Sequence, residues 1–315
     1  VGYDKECNAK GFSTINILSL FDGMSCLQIA LNRLGIKYTN YYASEIDKYA
    51  IQVTQHNYPN TIQLGDITKW KEWDLPHIDL IAGGSPCQGF SIAGKRLNFD
   101  DPRSKLYFVF EDIVKHYKPD YWLLENVIML QEHQDIISQR LGIKPIKINS
   151  ALISAQNRER LYWTNIENEY DLFGFPYCNI YNPNNKYIFL KDILENNDSG
   201  YFNKYRISKE RQISIKDQNW KNDRPNNING KCQTLLAGHG IGGTKPKIWC
   251  ETINDMRSLT PNEFERLQTV PDNQTLVLED NKQKVSNTQR YKMLGNGWTI
   301  DVICHILSHI GEYYG

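Results

Sequence analysis

Cys87 stands in the run Gly83-Gly84-Ser85-Pro86-Cys87-Gln88-Gly89-Phe90-Ser91, where a thiol can serve as a nucleophile. Glycines precede it, a proline fixes its approach and a polar loop follows. A free thiol is only a few per cent thiolate near neutral pH, so it needs an activating field or a target that takes up a proton as the bond forms. Leu123-Leu124-Glu125-Asn126-Val127 offers a carboxyl group at the lip of an apolar run, and a carboxyl so placed can hold and donate a proton. Gln156-Asn157-Arg158-Glu159-Arg160 carries two guanidiniums two residues apart, on one face if the segment is a strand. Such a pair suits an oxyanion, phosphate or carbonyl. Each feature has a plainer reading as well: a cysteine used as a small hydrophobe, an exposed strand-end glutamate, and arginines in surface salt bridges.

A second group of residues could hold a cofactor. Phe21-Asp22-Gly23-Met24-Ser25-Cys26 follows an apolar run, and its glycine lets the backbone approach a ligand while the next helix offers its first amides. Glu45 lies 24 residues beyond Phe21, where an acid takes ribose hydroxyls in doubly wound folds, and Asp66 could accept from an adenine amine. With one glycine only, G-x-G-x-x-G is not met, which disfavours a dinucleotide. An ordinary strand–turn–helix accounts for the same residues.

The elements needed to position these groups are legible as strand–helix alternation. Residues 15–20, 41–44, 61–64, 78–82 and 121–124 read as strands, and 27–34, 49–56 and 106–117 as helices, with Gly35 ending the first helix. This rhythm predicts an α/β fold with a parallel sheet covered on both faces. From residue 166 to 288 the rhythm breaks, and no long periodic helix is expected before Pro261. Residues 201–255 carry ten Lys/Arg against five Asp/Glu, and residues 166–200 two against six. A mostly irregular region with its positive charge in one segment fits a nucleic-acid reader, and equally a solvated insert. Residues 298–313 return to helical periodicity.

Composition limits the classes further. The 315 residues hold 36 basic and 36 acidic side chains, so attraction to nucleic acid must be local. No run of about 20 apolar residues exists to span a membrane, and the start shows no apolar signal core. Seven scattered cysteines without a C-x-x-C pair speak against a disulfide framework or structural zinc site, and for a reducing cytosol.

Taken together, the blocks resemble the C5-cytosine DNA methyltransferases and occur in that family's order. They are Phe21-Asp22-Gly23, Glu45, Asp66, Pro86-Cys87-Gln88, Glu125-Asn126-Val127, Gln156-x-Arg158-x-Arg160, Leu259-Thr260-Pro261-x-Glu263-x-x-Arg266-Leu267-Gln268 and Gly295-Asn296. One tripeptide decides nothing; eight ordered matches across residues 16 to 310 do. Ser44-Glu45 and Gly84-Ser85-Pro86-Cys87 also look like the branch with the animal de novo enzymes and small phage or bacterial relatives. Two departures stand out. Ser25 replaces the second glycine of F-x-G-x-G, and Leu152-Ile153-Ser154-Ala155 replaces the tyrosine-glycine-x-proline before Gln156.

The resemblance implies a doubly wound, Rossmann-like methyltransferase domain at residues 13–165 plus 289–315, and a smaller, mostly irregular and β target-recognition domain at 166–288. It implies S-adenosylmethionine as cofactor, no metal, and double-stranded DNA as partner. Cys87 would add to cytosine C6 while Glu125 bonds or protonates N3, with Arg160 and, in support, Arg158 holding O2 and nearby charge. Phe21, Asp22, Gly23, Met24, Glu45, Ile46, Asp66, Ile67, Pro86 and Asn296 would bind the cofactor, and Asn296 alternatively caps the last helix. Base flipping, at a few kcal/mol, gives access to the ring. Gln88 and Ser91 would approach the vacated space, Lys231, Lys245 and Lys247 would contact phosphates, and Thr234 and Leu235 lie in the segment near base edges. A monomer in a prokaryotic or phage-infected cytoplasm is the expected state, with room for a cognate restriction endonuclease.

Three other readings compete. The tRNA-cytosine methyltransferase that shares these blocks carries Cys-Phe-Thr, which is absent here. An intact Cys87, Glu125 and Arg160 argue against a silent DNA-binding relative. An amino-methyltransferase would need an Asp/Asn-Pro-Pro-aromatic loop where Ser85-Pro86-Cys87-Gln88 stands.

Overall fold

A computed structural model describes residues 15–85, 105–217, 224–240 and 244–310. Cys87, with Pro86, Gln88 and Ser91, lies outside the described residues. The expected alternation is present: β1 (Ile15–Leu20), α1 (Cys26–Leu34), β2 (Tyr38–Ser44), α2 (Lys48–Asn57), β3 (Ile62–Gln63), β4 (Leu80–Gly84), α3 (Lys105–Tyr117) and β5 (Tyr121–Val127). Then come α4 (Gln131–Leu141), β6 (Ile146–Asn149) and β7 (Glu159–Thr164). Among the described residues these strands form a seven-stranded sheet in the order β3-β2-β1-β4-β5-β7-β6. β1 to β5 pair in parallel, and β7 runs antiparallel between β5 and β6.

Parallel strands carry helices on both faces, so their side chains are apolar on both sides. Ile17, Leu18 and Leu20 of β1 and Leu80, Ile81 and Ala82 of β4 are accordingly buried. Chain order reverses between β2 and β4, which flank β1, so the crevice beyond the carboxyl ends of β1 and β4 is the topological switch point where such sheets bind ligands.

The second half contains short elements: hairpin strands β8 (Asn168–Tyr170) and β9 (Pro176–Cys178), helices α5 (Leu190–Ile193), α6 (Ser199–Asn203) and α7 (Lys209–Asp217), and the antiparallel pair β10 (Lys247–Cys250) and β11 (Asp255–Ser258). Helices α8 (Pro261–Leu267), α9 (Asn287–Asn296) and α10 (Ile300–Leu307) follow, with hairpin strands β12 (Leu278–Glu279) and β13 (Lys282–Gln283) between the first two. α8 opens on a capping box: Thr260 Oγ1 accepts from the Glu263 amide, Glu263 Oε2 accepts from the Thr260 amide, and Pro261 fills the first turn. Leu259, Phe264, Leu267 and Val285 join the same apolar core as the sheet. The last helix is shorter than the periodicity predicts: Thr299 is its N-cap and Trp298 lies in the preceding turn. No helix among the described residues is long and apolar enough to cross a membrane.

Candidate active site

A cavity of about 540 Å³ opens at the switch point, lined from β1, β2, β4 and β5 and closed on one side by residues 293–298. Every described residue expected to bind the cofactor lines it: Phe21, Asp22, Gly23, Met24, Glu45, Ile46, Asp66, Ile67 and Asn296. Glu125, Arg158 and Arg160 share it. Asn296 ends α9 and does not cap α10.

The loop after β1 is held in an uncommon conformation. Phe21, Gly23 and Ser25 have φ of 56°, 59° and 61°, a region that costs a non-glycine residue roughly 1–2 kcal/mol. Glu45 helps to fix it. Its Oε2 accepts from the Gly23 amide at 2.8 Å, and Oε1 accepts from the Ile46 and Asp47 amides at 2.7 and 2.8 Å. Ser25, at the position where a glycine would be unstrained, puts its hydroxyl to use: it donates to Asp22 and accepts from Gln28 Nε2 at 3.0 Å. Asp22 also accepts from Tyr41 OH at 2.6 Å, and burial raises its pKa to about 6. The Asp22 carboxylate therefore braces the loop from the protein side. Asp66 caps the 3-10 turn after it, accepting from the Thr68 amide and hydroxyl at 2.9 Å, and these bonds lower its pKa.

Strand order brings the catalytic candidates together. Gly84 of β4 pairs with Glu125 of β5, and Asn126 Nδ2 donates to Ser85 Oγ at 2.9 Å, two residues before Cys87. Val127 of β5 pairs with Arg160 of β7. Arg160 Nε lies 3.0 Å from Glu125 Oε1, and Trp298 Nε1 donates to Glu125 Oε2 at 3.2 Å. A Cβ on Gly84 would stand 2.9 Å from both Glu125 Oε2 and Trp298 Nε1, so only glycine admits this approach.

With that geometry in place, the sequence model of the C-5 cytosine-specific DNA methylases matches residues 15–312. The chain belongs to this family. It is a DNA cytosine-5-methyltransferase. It is 32% identical to type II methyltransferase M1.ScrFI of Lactococcus lactis subsp. cremoris, over 91% of this chain and 75% of that one. It is also 32% identical to type II methyltransferase M.HaeII of Haemophilus aegyptius, over 93% and 91%. Among solved structures, the Entamoeba histolytica methyltransferase EhMeth has a TM-score of 0.69 at 18% identity, covering 94% of this chain and 97% of that one. S. pombe Dnmt2 has a TM-score of 0.66 at 16% identity, covering 93% and 97%. At those identities the likeness is one of fold.

Several residues of the methylase sit otherwise than expected. Arg158 is buried, and its guanidinium is occupied by carbonyls: NH1 donates to Leu235 O at 3.0 Å, and NH2 to Gly297 O at 2.9 Å and Gly295 O at 3.4 Å. Burial, with Arg160 close by, lowers its pKa to about 9. Arg158 thus ties the loop after α9 to the segment around Leu235, while Arg160 faces Glu125. Lys231 and Lys247 are not displayed as free surface cations. Lys231 Nζ donates to Ser154 O and Ile188 O at 2.9 and 2.6 Å, and Lys247 is buried on β10. Leu235 is also buried, and Thr234 Oγ1 donates to Asn157 O at 2.6 Å. Charge counting found these lysines but could not see that one meets carbonyls and the other is buried. Lys245 stays partly exposed, 5.0 Å from the centre of the Tyr291 ring.

Two residues that the sequence reading gave no role, Trp298 and Gln268, complete the site. Gln268 is fully buried and grips the turn on both sides of Trp298. Its Nε2 donates to Gly297 O at 3.1 Å, its Oε1 accepts from Thr299 Oγ1 at 2.8 Å, and its carbonyl accepts from the Ile300 amide at 2.9 Å. Cys26 also lines the cavity, but burial pushes its thiol up to about 12, so it stays protonated and unreactive.

Proposed function

We propose that the methylase transfers the methyl group of S-adenosylmethionine to C5 of a cytosine flipped out of duplex DNA, with Cys87 adding to C6. The observation that carries this reading is the placement of Glu125 and Arg160, 3.0 Å apart, on the wall of the cavity lined by the cofactor residues.

The cavity suits a nucleoside-bearing donor. Its volume falls within the roughly 300–1,000 Å³ of small-ligand sites. Phe21 and Ile46, the latter 75% exposed, present apolar surface that a purine would cover. Glu45 carries acceptor capacity beyond its three amide bonds, since a carboxylate offers about four lone-pair positions, and this suits ribose hydroxyls. When bound, S-adenosylmethionine supplies an electrophilic methyl group.

The protein's own residues account for the remaining steps. Cytosine C5 is a poor nucleophile until a group adds at C6. Cys87 sulfur forms that bond, Glu125 holds the proton at N3, and C5 gains enamine character. Arg160 orients Glu125 and meets the O2 edge, while Arg158 keeps the surrounding backbone in register. After methylation the C5 proton leaves to a base, the C6–sulfur bond breaks, and Cys87 is restored. Residues 166–288 read the target, with Gln88 and Ser91 beside the nucleophile filling the space the base vacates. The protein acts in a prokaryotic or phage-infected cytoplasm, alone or beside a restriction endonuclease of the same specificity.

Duplex DNA carrying 5-fluorocytosine tests the reading. Fluorine cannot leave C5 as a proton does, so incubation with S-adenosylmethionine should give a denaturation-stable adduct whose peptide map ends at Cys87. Absence of the adduct, while bisulfite sequencing shows methylation, would refute covalent addition.

The lysines separate into two classes on the same substrate. Lys245→Ala should lower the slope of log affinity against log salt by about 1, one phosphate contact, with thermal stability kept. Lys247→Ala should lower stability and leave that slope unchanged. DNA titrations at several salt concentrations, beside thermal melts, distinguish them.

A further inference from the structure

We propose that Trp298 is the positioning residue for Glu125: its indole N–H fixes the Glu125 carboxyl group in the orientation from which it serves the cytosine ring. This inference rests on the role of Glu125 given above.

Three observations converge. First, the indole Nε1 donates to Glu125 Oε2 at 3.2 Å in a site where both residues are more than nine-tenths buried. An indole N–H only donates, so the bond leaves no ambiguity about which partner carries the proton. Second, the two oxygens of Glu125 are addressed separately, Oε1 by Arg160 at 3.0 Å and Oε2 by Trp298. An ion pair on one oxygen and a hydrogen bond on the other fix both the position of the carboxyl group and the rotation of its plane, whereas the Arg160 ion pair alone leaves that rotation free. Third, Trp298 is itself rigidly placed. Gln268 binds the residue on either side of it, Arg158 NH2 holds Gly297 O at 2.9 Å, and Gly84 leaves open the space in which the indole and carboxyl meet.

The chain of support runs from Gln268, at the end of α8, through the turn before α10 to the end of β5. A side chain from the last tenth of the sequence thereby sets the orientation of a group 173 residues earlier. A purely apolar role for the indole, as a wall of the cofactor cavity, would need no donor aimed at a carboxylate.

Trp298→Phe removes the donor and keeps most of the ring. Hydrogen bonds to charged groups are the stronger class, so kcat should fall about ten-fold or more. KM for DNA, S-adenosylhomocysteine binding by calorimetry and the melting temperature should stay within about two-fold or a few degrees of the parent. In a Glu125→Ala background the same substitution should cost no further rate, because the group it positions is gone. An equal loss in that background, or weakened S-adenosylhomocysteine binding with kcat retained, would assign Trp298 to the cavity wall and overturn the proposal. Full activity of Trp298→Phe would overturn it too. A silent Glu125→Gln single variant would instead sink the assigned role of Glu125, which separates the two failures.

Discussion

Cys87→Ser should incorporate no methyl label above background, and Glu125→Gln should retain a rate about 10²- to 10⁴-fold below the parent, the usual span for losing a positioned acid–base group. The two losses differ because the groups do different work. A serine hydroxyl titrates far above a thiol and is a much weaker nucleophile toward C6, so the bond that activates C5 does not form. Glutamine still donates a hydrogen bond toward the ring but cannot give up a proton to N3. DNA binding should survive both changes, since neither residue is placed among the phosphate contacts. Tritiated-methyl incorporation, with a gel-shift control for DNA binding, checks the pair. Methylation at the parent rate by Cys87→Ser would remove covalent addition from the mechanism.

How much of this site was legible beforehand depends on the kind of interaction. The cavity-lining loop after β1 was readable because its signal is local: a buried strand, Gly23 shortly after it, and an acid just past the next strand. That the strand ending in Glu125 lies beside the strand leading to Cys87 was readable because neighbouring parallel strands end at the same side of the sheet. Helix α4 was missed. Its sequence QEHQDIISQRL is mostly polar and buries Ile137 alone, so it lacks an apolar stripe. α9, nearly all of it beyond residue 288, was missed for a related reason: much of its packing uses residues that no hydrophobic pattern flags, with Gly295 against the backbone of Leu236 and Arg290 bonded to Thr275 and Glu265. Spacing put Arg158 and Arg160 on one face but could not tell that one guanidinium is bound to three carbonyls while the other faces a carboxylate. Trp298 was hidden because its periodicity joined it to the last helix, whereas Gln268 holds it in the turn before that helix.

The largest loss of stability is expected at Glu263, far from the chemistry. Its carboxylate accepts from Arg257 NH1 and NH2, both at 2.7 Å, from the Thr260 amide at 2.8 Å and from the Glu195 amide at 3.0 Å. Both members of the ion pair are about 1% exposed or less. Glu263→Ala therefore removes the capping box of α8 and strands the Arg257 guanidinium, which lies 4.2 Å from the Phe202 ring centre, in a site that water does not reach. Breaking a buried pair in this way costs about 3–5 kcal/mol, a large part of the roughly 5–15 kcal/mol that holds a typical domain folded. Denaturant titration should show that drop, and activity should fall with it, because α8 ends at Gln268, which sets the Trp298 turn. The double variant Arg257→Met with Glu263→Leu should recover much of the stability by removing both charges, losing only the cap. A Glu263→Ala protein as stable as the parent would mean that Arg257 finds water or another acceptor, and that the capping box contributes little to holding α8 and the turn it supports.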